Sequence, residues 1–427
     1  MSVRAQASVN VAAIERNCAR LRSELRPTVA LCAVVKSDGY GHGAAQSARA
    51  ALAGGASRLA VAAAREAREL RDAGVAGIGE TGVGEKAVGQ GLADVPILVM
   101  GALTAEELRE ALAADAEVVV WHERDVEAVA AAGGGRVHVK LDSGMGRLGT
   151  RDLAEASRVV AAARFTAGVE LAGAMTHFAT ADDPNDDGFF VAQLAVFADW
   201  AREIKADHPK IVVHAANSAA VLRDARAHFD MVRCGIAIYG MDPFGEDPAA
   251  RALEPALELH SYVAEVKRCG AGESAGYGRR FVAEHDTYLG VLPIGYGDGW
   301  RRGLSNNGDV LVAGIRRPLV GTLSMDNTTV DLGPDPAAQE LRGAPAILIG
   351  AQGLERITAE ELARRLGTID YEITCALTPR VERAYHRDGE WVSPADSSSP
   401  VGSGDVSSAR CASESDRAEV ARGSGAA

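Results

Sequence analysis

The residues best suited to carry out chemistry are polar side chains that directly follow short apolar runs. Lys36 ends one run in AVVKSDGYGHG, and Lys140 and Arg147 follow another in VKLDSGMGRLG. His177 and Arg233 end two further runs, in MTHFATAD and MVRCG. The carboxyl ends of strands are where barrel enzymes carry their active sites. The sequence therefore predicts a site with lysine and arginine side chains at one end of a barrel.

A phosphate site is predicted after the last two of eight apolar runs between residues 28 and 240. Asn217 and Ser218 follow the seventh run, Ile211–Ala215, in HAANSAA. Gly235 and Ile236 follow the eighth run, Met231–Arg233, in MVRCGIAIYG. Barrels often bind phosphate in the loops after strands seven and eight, and backbone N–H groups at a helix start suit an anion. A phosphate site and a strand-end lysine together predict pyridoxal 5'-phosphate bound as a Schiff base. Lys36 is the first candidate for that lysine, and Lys140, which also lies at a strand end, competes with it.

The elements that must position these residues form a regular pattern between residues 28 and 240. Eight apolar runs alternate there with amphipathic helical segments, which predicts a (β/α)8 barrel. The runs are Val29–Val35, Arg58–Ala62, Val95–Met100, Glu117–Trp121, Val137–Leu141, Val169–His177, Ile211–Ala215 and Met231–Arg233.

The sequence pattern changes after about residue 250, where strand-like runs follow one another with little helix between them. We therefore expect an α/β fold: an N-terminal (β/α)8 TIM-like barrel over residues 1–250 and a C-terminal mainly β domain over 251–394. The predicted strands of the second domain are His260–Val266, Tyr288–Leu292, Asp309–Val312, Leu319–Leu323, Thr328–Leu332 and Ala346–Ile349, with one helix at Ala359–Leu366.

Two segments fall outside this pattern. Residues 77–91 are rich in glycine and lie between the second helix and the third strand, which predicts an inserted surface loop. Residues 395–427 contain no Leu, Ile, Met or aromatic residue. Such a segment cannot bury enough apolar area to order itself, so a disordered tail is expected.

Composition limits the class of protein. The chain has 427 residues with 45 basic and 58 acidic side chains, a net charge of −13, which argues against a nucleic-acid partner. We find no apolar run long enough to span a membrane and no signal peptide. The six cysteines are scattered, as expected of free thiols in a reducing cytoplasm. The ten histidines show no zinc-site spacing, so no structural metal is expected.

Nine motifs, taken together and in this order, resemble those of the alanine racemases, pyridoxal phosphate enzymes built from a barrel and a β domain. The resemblance covers about residues 5–390 apart from the insertion. It implies a cytoplasmic homodimer that interconverts L-alanine and D-alanine and supplies D-alanine for peptidoglycan. The motifs are AVVKSDGYGHG, VKLDSGMGRLGT, MTHFATAD, HAANSAA, MVRCGIAIYG, GYGRRF, IGYGDGW, GTLSMDNTTVDL and IDYEITCAL.

The resemblance implies two catalytic bases, one for each face of the substrate α-carbon. Lys36 would hold the cofactor and serve one face, and Tyr277 would reach the barrel of the partner subunit and serve the other. Arg233 would face the pyridine nitrogen with His177 hydrogen-bonded to it, and because guanidinium keeps its proton, that nitrogen would stay unprotonated. The cofactor phosphate and its surroundings would be bound by Tyr40, Asn217, Ser218, Gly235, Ile236 and Tyr371.

The same resemblance implies a small substrate pocket. Arg147 and the backbone of Met325 would receive the substrate carboxylate, since an arginine–carboxylate pair is strong and directional. Tyr296 and Tyr371 would line a narrow entry channel that favours alanine. Lys140 corresponds to a lysine that is often carbamylated in the family, and a carbamylated and an unmodified Lys140 are both compatible with the sequence.

Three alternatives compete with this assignment, and the first is disfavoured because Met145 and Arg147 stand where the backbone must approach a pyrophosphate. Gly144, Gly146 and Gly149 form a GxGxxG pattern after a predicted strand, with Glu170 about 20 residues on, as in dinucleotide-binding folds. A second alternative is another pyridoxal phosphate enzyme of this architecture, either a racemase for other amino acids or a decarboxylase. The third is a barrel that carries the cofactor without turnover, which would not need the β domain or Tyr277.

Overall fold

The computed structural model describes residues 3–76, 92–183 and 185–392. The predicted inserted loop at 77–91 and the predicted tail at 395–427 therefore lie outside the described residues. None of the helices in the described ranges has the length and hydrophobicity of a membrane span.

The N-terminal part contains a closed barrel of eight parallel strands, in which the last strand pairs with the first. Valine, alanine and leucine fill the strands and are buried, as expected when both faces of a parallel sheet are covered. The predicted barrel is confirmed, with strand boundaries shifted by at most two residues. The strands are Ala30–Val34, Arg58–Val61, Ile97–Val99, Ala116–Val120, Gly135–Lys140, Val169–Met175, Val212–His214 and Met231–Cys234.

Helices alternate with these strands, and side-chain caps mark where several begin. The Asn10 and Asp152 side chains each accept a hydrogen bond from the backbone two residues on, and Thr104 forms a capping box with Glu107. The helices are Val11–Ser23, Ala44–Ala53, Ala64–Ala76, Ala105–Ala113, Glu123–Ala131, Leu153–Phe165, Asp187–Asp207 and Ser218–Arg223.

The C-terminal part is mainly β, as predicted, and its largest sheet has eight strands. The first strand of the chain, Gln6–Asn10, lies inside this sheet, antiparallel to Leu257–Tyr262 and parallel to Glu382–Arg387. Residues 6–10 thus pair outside the barrel, although the range expected for the barrel begins at residue 1. In order, the strands are Ile315–Pro318, Asp309–Val312, Pro345–Gln352, Leu257–Tyr262, Gln6–Asn10, Glu382–Arg387 and Glu390–Trp391, with Glu355–Ile357 paired to Pro345–Gln352.

Two predicted strands of this domain need correction. The run His260–Val266 is not one strand but the end of Leu257–Tyr262 and the start of Glu265–Cys269. The prediction of a strand at Leu319–Leu323 is wrong, because Gly321 adopts a φ of 75° that interrupts extended backbone. The remaining strands form a three-stranded sheet, Glu265–Cys269, Thr287–Leu292 and Thr328–Gly333, and a hairpin, Ser274–Ala275 with Phe281–Val282.

One contact between the two parts determines what lies at the mouth of the barrel. The predicted helix Ala359–Leu366 is present, and a second short helix, Asp370–Cys375, packs against the turn Lys36–Tyr40. A Cβ on Gly41 would come within 2.2 Å of the carbonyl oxygen of Thr374. Only glycine allows this approach, which brings Tyr371 to the carboxyl ends of the barrel strands.

Candidate active site

A cavity of about 440 Å³ opens at the carboxyl ends of the barrel strands. Its volume suits a cofactor or a small ligand. Its lining brings together eleven of the residues singled out from the sequence: Lys36, Tyr40, Lys140, Arg147, His177, Asn217, Ser218, Arg233, Gly235, Ile236 and Tyr371.

An unusual turn positions Lys36 and Tyr40. Residues 37–40 all have φ between 52° and 61°, in the left-handed region. Three of them carry side chains, for which this conformation is costly. The Glu66 carboxylate accepts hydrogen bonds from the backbone N–H of Ser37 at 2.6 Å and of Ala62 and Ala63 at 2.8 and 3.0 Å. Glu66 thereby fastens the turn to the second barrel strand.

The opposite side of the cavity has the features of an anion cradle. The Ser218 hydroxyl oxygen accepts hydrogen bonds from the N–H of Gly235 at 3.1 Å and of Ala237 at 3.3 Å. The Asn217 side chain caps the following helix. A Cβ on residue 235 would lie 2.3 Å from the hydroxyl oxygen of Tyr40. The absence of a side chain at Gly235 therefore lets the Tyr40 hydroxyl lie close to the backbone whose N–H groups donate to Ser218.

Arg233 is buried at the floor of the cavity and has four uncharged acceptors. Its guanidinium donates to Nδ1 of His214 at 2.7 Å, to the Thr176 and Ala215 carbonyl oxygens at 2.8 and 3.1 Å, and to Nδ1 of His177 at 3.3 Å. Burial lowers the pKa of Arg233 to about 10, which leaves it charged at neutral pH. Burial and Arg233 hold the pKa of His177 well below its usual value, so this imidazole is neutral.

Lys36, Lys140 and Arg147 bring further basic groups into the cavity. Burial, followed by the charges of Arg233 and Arg147, lowers the pKa of Lys140 to about 8. Burial and Arg147 also lower the pKa of Lys36. The loop that carries Arg147 is held by Asp142, which accepts from the N–H groups of Gly144 and Gly146 at 3.0–3.1 Å. An anionic substrate would relieve the repulsion among these cations.

Three predicted site residues lie outside this cavity. Tyr277, Tyr296 and Met325 are on the second domain, with 73%, 41% and 52% of their surfaces exposed. Their loops adjoin, because the Thr322 hydroxyl donates to the Tyr277 carbonyl and the Tyr296 N–H donates to the Ser324 carbonyl. The structure thus divides the predicted site into a cavity and a separate exposed surface.

Several lining residues were missed by sequence reasoning. Cys375 and Leu148 line the cavity. Cys375 lies four residues after Tyr371, one helical turn away, within the motif IDYEITCAL. In the described residues, no group of three or more His, Cys, Asp or Glu side chains is arranged to hold a metal ion.

The dinucleotide alternative does not fit the structure. The glycines Gly144, Gly146 and Gly149 lie in a loop of a closed barrel, whereas the dinucleotide fingerprint belongs to an open sheet. A second GxGxxG pattern, formed by Gly77, Gly79 and Gly82 within the predicted inserted loop, lies outside the described residues.

Fold and cavity together define a barrel enzyme with a β domain and a basic pocket at its strand ends. The alanine racemase N-terminal domain family matches residues 9–243, and the alanine racemase C-terminal domain family matches residues 256–385. The chain belongs to the alanine racemase family.

Individual relatives agree over most of the chain. It is 39% identical to an alanine racemase of Geobacillus kaustophilus, over 89% of this chain and 94% of that protein. It is 37% identical to alanine racemase 1 of Bacillus subtilis, over 90% and 93%. The solved alanine racemase of Streptomyces coelicolor superposes with a TM-score of 0.79 at 37% identity, covering 90% of this chain and 98% of that one.

Proposed function

We propose that this protein interconverts L-alanine and D-alanine with pyridoxal 5'-phosphate as cofactor. The observation that carries the proposal is a single cavity in which Lys36 and Arg147 lie with Arg233 and the cradle around Ser218. A lysine amine, a buried guanidinium and an anion cradle are the groups needed to bind the aldehyde, the ring nitrogen and the phosphate of this cofactor.

The residues present fit the cofactor. Gly235 keeps open the space against the Tyr40 hydroxyl, and Ser218 with the N–H groups of Gly235 and Ile236 would bind the phosphate. Arg233 would face the ring nitrogen and, as a charged donor, would leave it unprotonated. When bound, the cofactor supplies an electron sink that acidifies the α-hydrogen of an amino acid.

Arg147 would bind the substrate carboxylate, with the backbone of Met325 from the partner subunit as a further contact. The lowered pKa of Lys140 favours the neutral amine, which is the form that reacts with carbon dioxide. A carbamate on Lys140 would place a negative charge beside Arg147 and orient its guanidinium. Tyr371 lines the cavity and, with Tyr296, would restrict the entry channel to a small side chain.

Lys36 and Tyr277 would be the two catalytic bases. The lowered pKa of Lys36 increases the fraction of its amine that can accept a proton near neutral pH. Tyr277 is exposed and lies outside the cavity, which supports its insertion into the cavity of a partner subunit. The active enzyme is then a homodimer with two shared sites. It acts in the cytoplasm and supplies D-alanine for peptidoglycan.

The direct test follows the optical rotation of L-alanine in the presence of purified protein and pyridoxal 5'-phosphate, with L-serine and L-lysine beside it. Loss of rotation with alanine alone is the expected result. Equal loss with serine or lysine would contradict the substrate assignment. Release of carbon dioxide would identify a decarboxylase, and cofactor binding without either reaction would identify a carrier.

A second experiment tests the role of Lys36 independently of turnover. Borohydride reduction should fix the cofactor covalently to Lys36, and peptide mass spectrometry should locate the adduct. Lys36→Ala should lose the adduct, whereas Lys210→Ala, a change at an exposed lysine, should keep it. An adduct on Lys140 would assign the role to the competing lysine.

A further inference from the structure

A chain of buried polar side chains runs through the barrel interior behind Arg233. Arg233 donates to Nδ1 of His214 at 2.7 Å. Nε2 of His214 lies 2.8 Å from Nδ1 of His138, and Nε2 of His138 lies 2.8 Å from a carboxylate oxygen of Glu117. None of these four residues is more than 3% exposed. Groups this buried need hydrogen-bond partners, and the chain provides them.

This chain of hydrogen-bonded side chains permits only one arrangement of its hydrogens. Guanidinium can only donate, so Nδ1 of His214 must accept. A neutral imidazole then carries its hydrogen on Nε2, which must donate to Nδ1 of His138. By the same reasoning Nε2–H of His138 donates to Glu117. Burial, followed by the charge of Arg233, holds the pKa of His214 well below its usual value, in agreement with a neutral ring.

The end of this chain of hydrogen-bonded side chains that is farther from Arg233 lies on the opposite side of the barrel from the cavity. Glu117 is the second residue of its strand. Arg58 is the first residue of the strand two positions away in the barrel, and its guanidinium donates to the Glu117 carboxylate at 2.7 Å. Arg136 lies 3.5 Å from the other carboxylate oxygen. The acceptors of Arg233 itself are all uncharged. Glu117 is therefore the carboxylate to which Arg233 is linked, through two imidazoles.

We propose that Glu117 is a positioning residue for Arg233: by accepting the Nε2–H of His138 it stabilises the tautomers of His138 and His214 in which Nδ1 of His214 accepts from Arg233, so that Arg233 keeps its orientation toward the cavity. The significance of that orientation rests on the proposed function, in which Arg233 faces the ring nitrogen of the cofactor. The competing account gives Glu117 a local role only, as the counter-charge of Arg58 and Arg136.

The two accounts differ in what happens to His214. In Glu117→Leu, the arrangement that Arg233 requires leaves the buried Nε2–H of His138 without an acceptor, so this arrangement is destabilised and other tautomers or ring orientations can compete with it. Glu117→Gln retains an oxygen that can accept from His138, so it should rescue the arrangement. Glu258→Gln is the matched control, because Glu258 also pairs with a histidine, His260 at 3.2 Å, on a strand of the second domain.

The experiment records ¹⁵N–¹H correlation spectra of histidine-labelled protein at pH 7, with assignments from His138→Asn and His214→Asn. Wild type, Glu117→Gln and Glu258→Gln should show neutral Nε2–H tautomers for both rings. Glu117→Leu should lose this single state. Fluorescence titration should show weaker binding of pyridoxal 5'-phosphate to Glu117→Leu, on the order of tenfold, comparable to removing the carboxylate behind a metal-binding histidine. Binding to Glu117→Gln should be close to wild type.

An Nδ1–H tautomer on either ring of the wild type would overturn the proposal. So would a folded Glu117→Leu variant with unchanged tautomers and affinity, because that is the result of a purely local role. If Glu117→Leu does not fold, the wild-type tautomers and their retention in Glu117→Gln decide. Failure of the wild type to bind the cofactor would contradict the proposed function, while the tautomers would still test the chain.

Discussion

Gly235 and Tyr40 approach so closely that a Cβ on residue 235 would lie 2.3 Å from the tyrosine hydroxyl oxygen. Tyr40 belongs to the turn that carries Lys36, and Gly235 follows the last barrel strand. This contact therefore joins the two sides of the cavity at the point where we propose that the phosphate binds.

Substitution Gly235→Ala should weaken cofactor binding. The added methyl group must displace the Tyr40 hydroxyl, so we expect affinity for pyridoxal 5'-phosphate to fall by about tenfold, the loss of roughly one hydrogen bond to a charged group. Titration followed by absorbance measures it. Gly188→Ala is the control, since nothing lies within 4 Å of the added atom. Wild-type affinity in Gly235→Ala would show that the phosphate lies elsewhere.

Substitution Glu66→Gln should destabilise the left-handed turn. An amide cannot accept on both sides as the carboxylate does, so at least one backbone N–H loses its acceptor, at a cost of about 1–3 kcal/mol. We expect a lower melting temperature and weaker cofactor binding. Glu69→Gln on the same helix removes only an exposed pair with Arg65 and should change neither. If the two variants behave alike, Glu66 does not hold the turn.

Substitution Tyr277→Phe should separate racemisation from hydrogen exchange. With Lys36 intact, the α-hydrogen of one enantiomer should still exchange in D₂O. Racemisation should fall by about 100-fold or more because the second base is missing. NMR of the substrate measures exchange, and optical rotation measures racemisation. Tyr262→Phe serves as a control in the same domain. Loss of exchange for both enantiomers, or unchanged racemisation, would contradict the two-base scheme.

The amine of Lys140 should form a carbamate in a pH-dependent way. Only the neutral amine reacts, so at constant bicarbonate the carbamate should increase as the pH rises through about 8, the lowered pKa of Lys140. An ordinary lysine would have its midpoint near pH 10.4. ¹³C NMR of the cofactor-free protein with ¹³C-bicarbonate measures this, and Lys140→Arg should abolish the signal. A signal that survives in Lys140→Arg belongs to another amine.

Much of the fold follows from local patterns in the sequence. Runs such as Val137–Leu141 are buried on both faces, and their polar terminal residues face the cavity because all eight strands are parallel. That geometry is why Lys36, Lys140 and Arg233 could be placed in one site before the structure was known. The prediction that Tyr277 acts from a second surface came from the family resemblance rather than from the pattern of apolar runs.

Features that depend on distant contacts were not predictable in this way. The strand Gln6–Asn10 pairs with segments about 250 and 375 residues away, and its own sequence does not indicate which segments these are. Glu117 and His138 lie within apolar strands of the barrel. An unpaired polar group there would be costly, and only the structure shows which partners these two side chains have.

The central claim is that each active site combines Lys36 of one subunit with Tyr277 of the other. Its most direct test is a mixed dimer of Lys36→Ala and Tyr277→Phe chains, purified through two different affinity tags. Both parent dimers should be inactive as racemases. In the mixed dimer one of the two sites has both bases, so about half of the wild-type rate should return. A mixed dimer as inactive as its parents would mean that both bases belong to the same subunit.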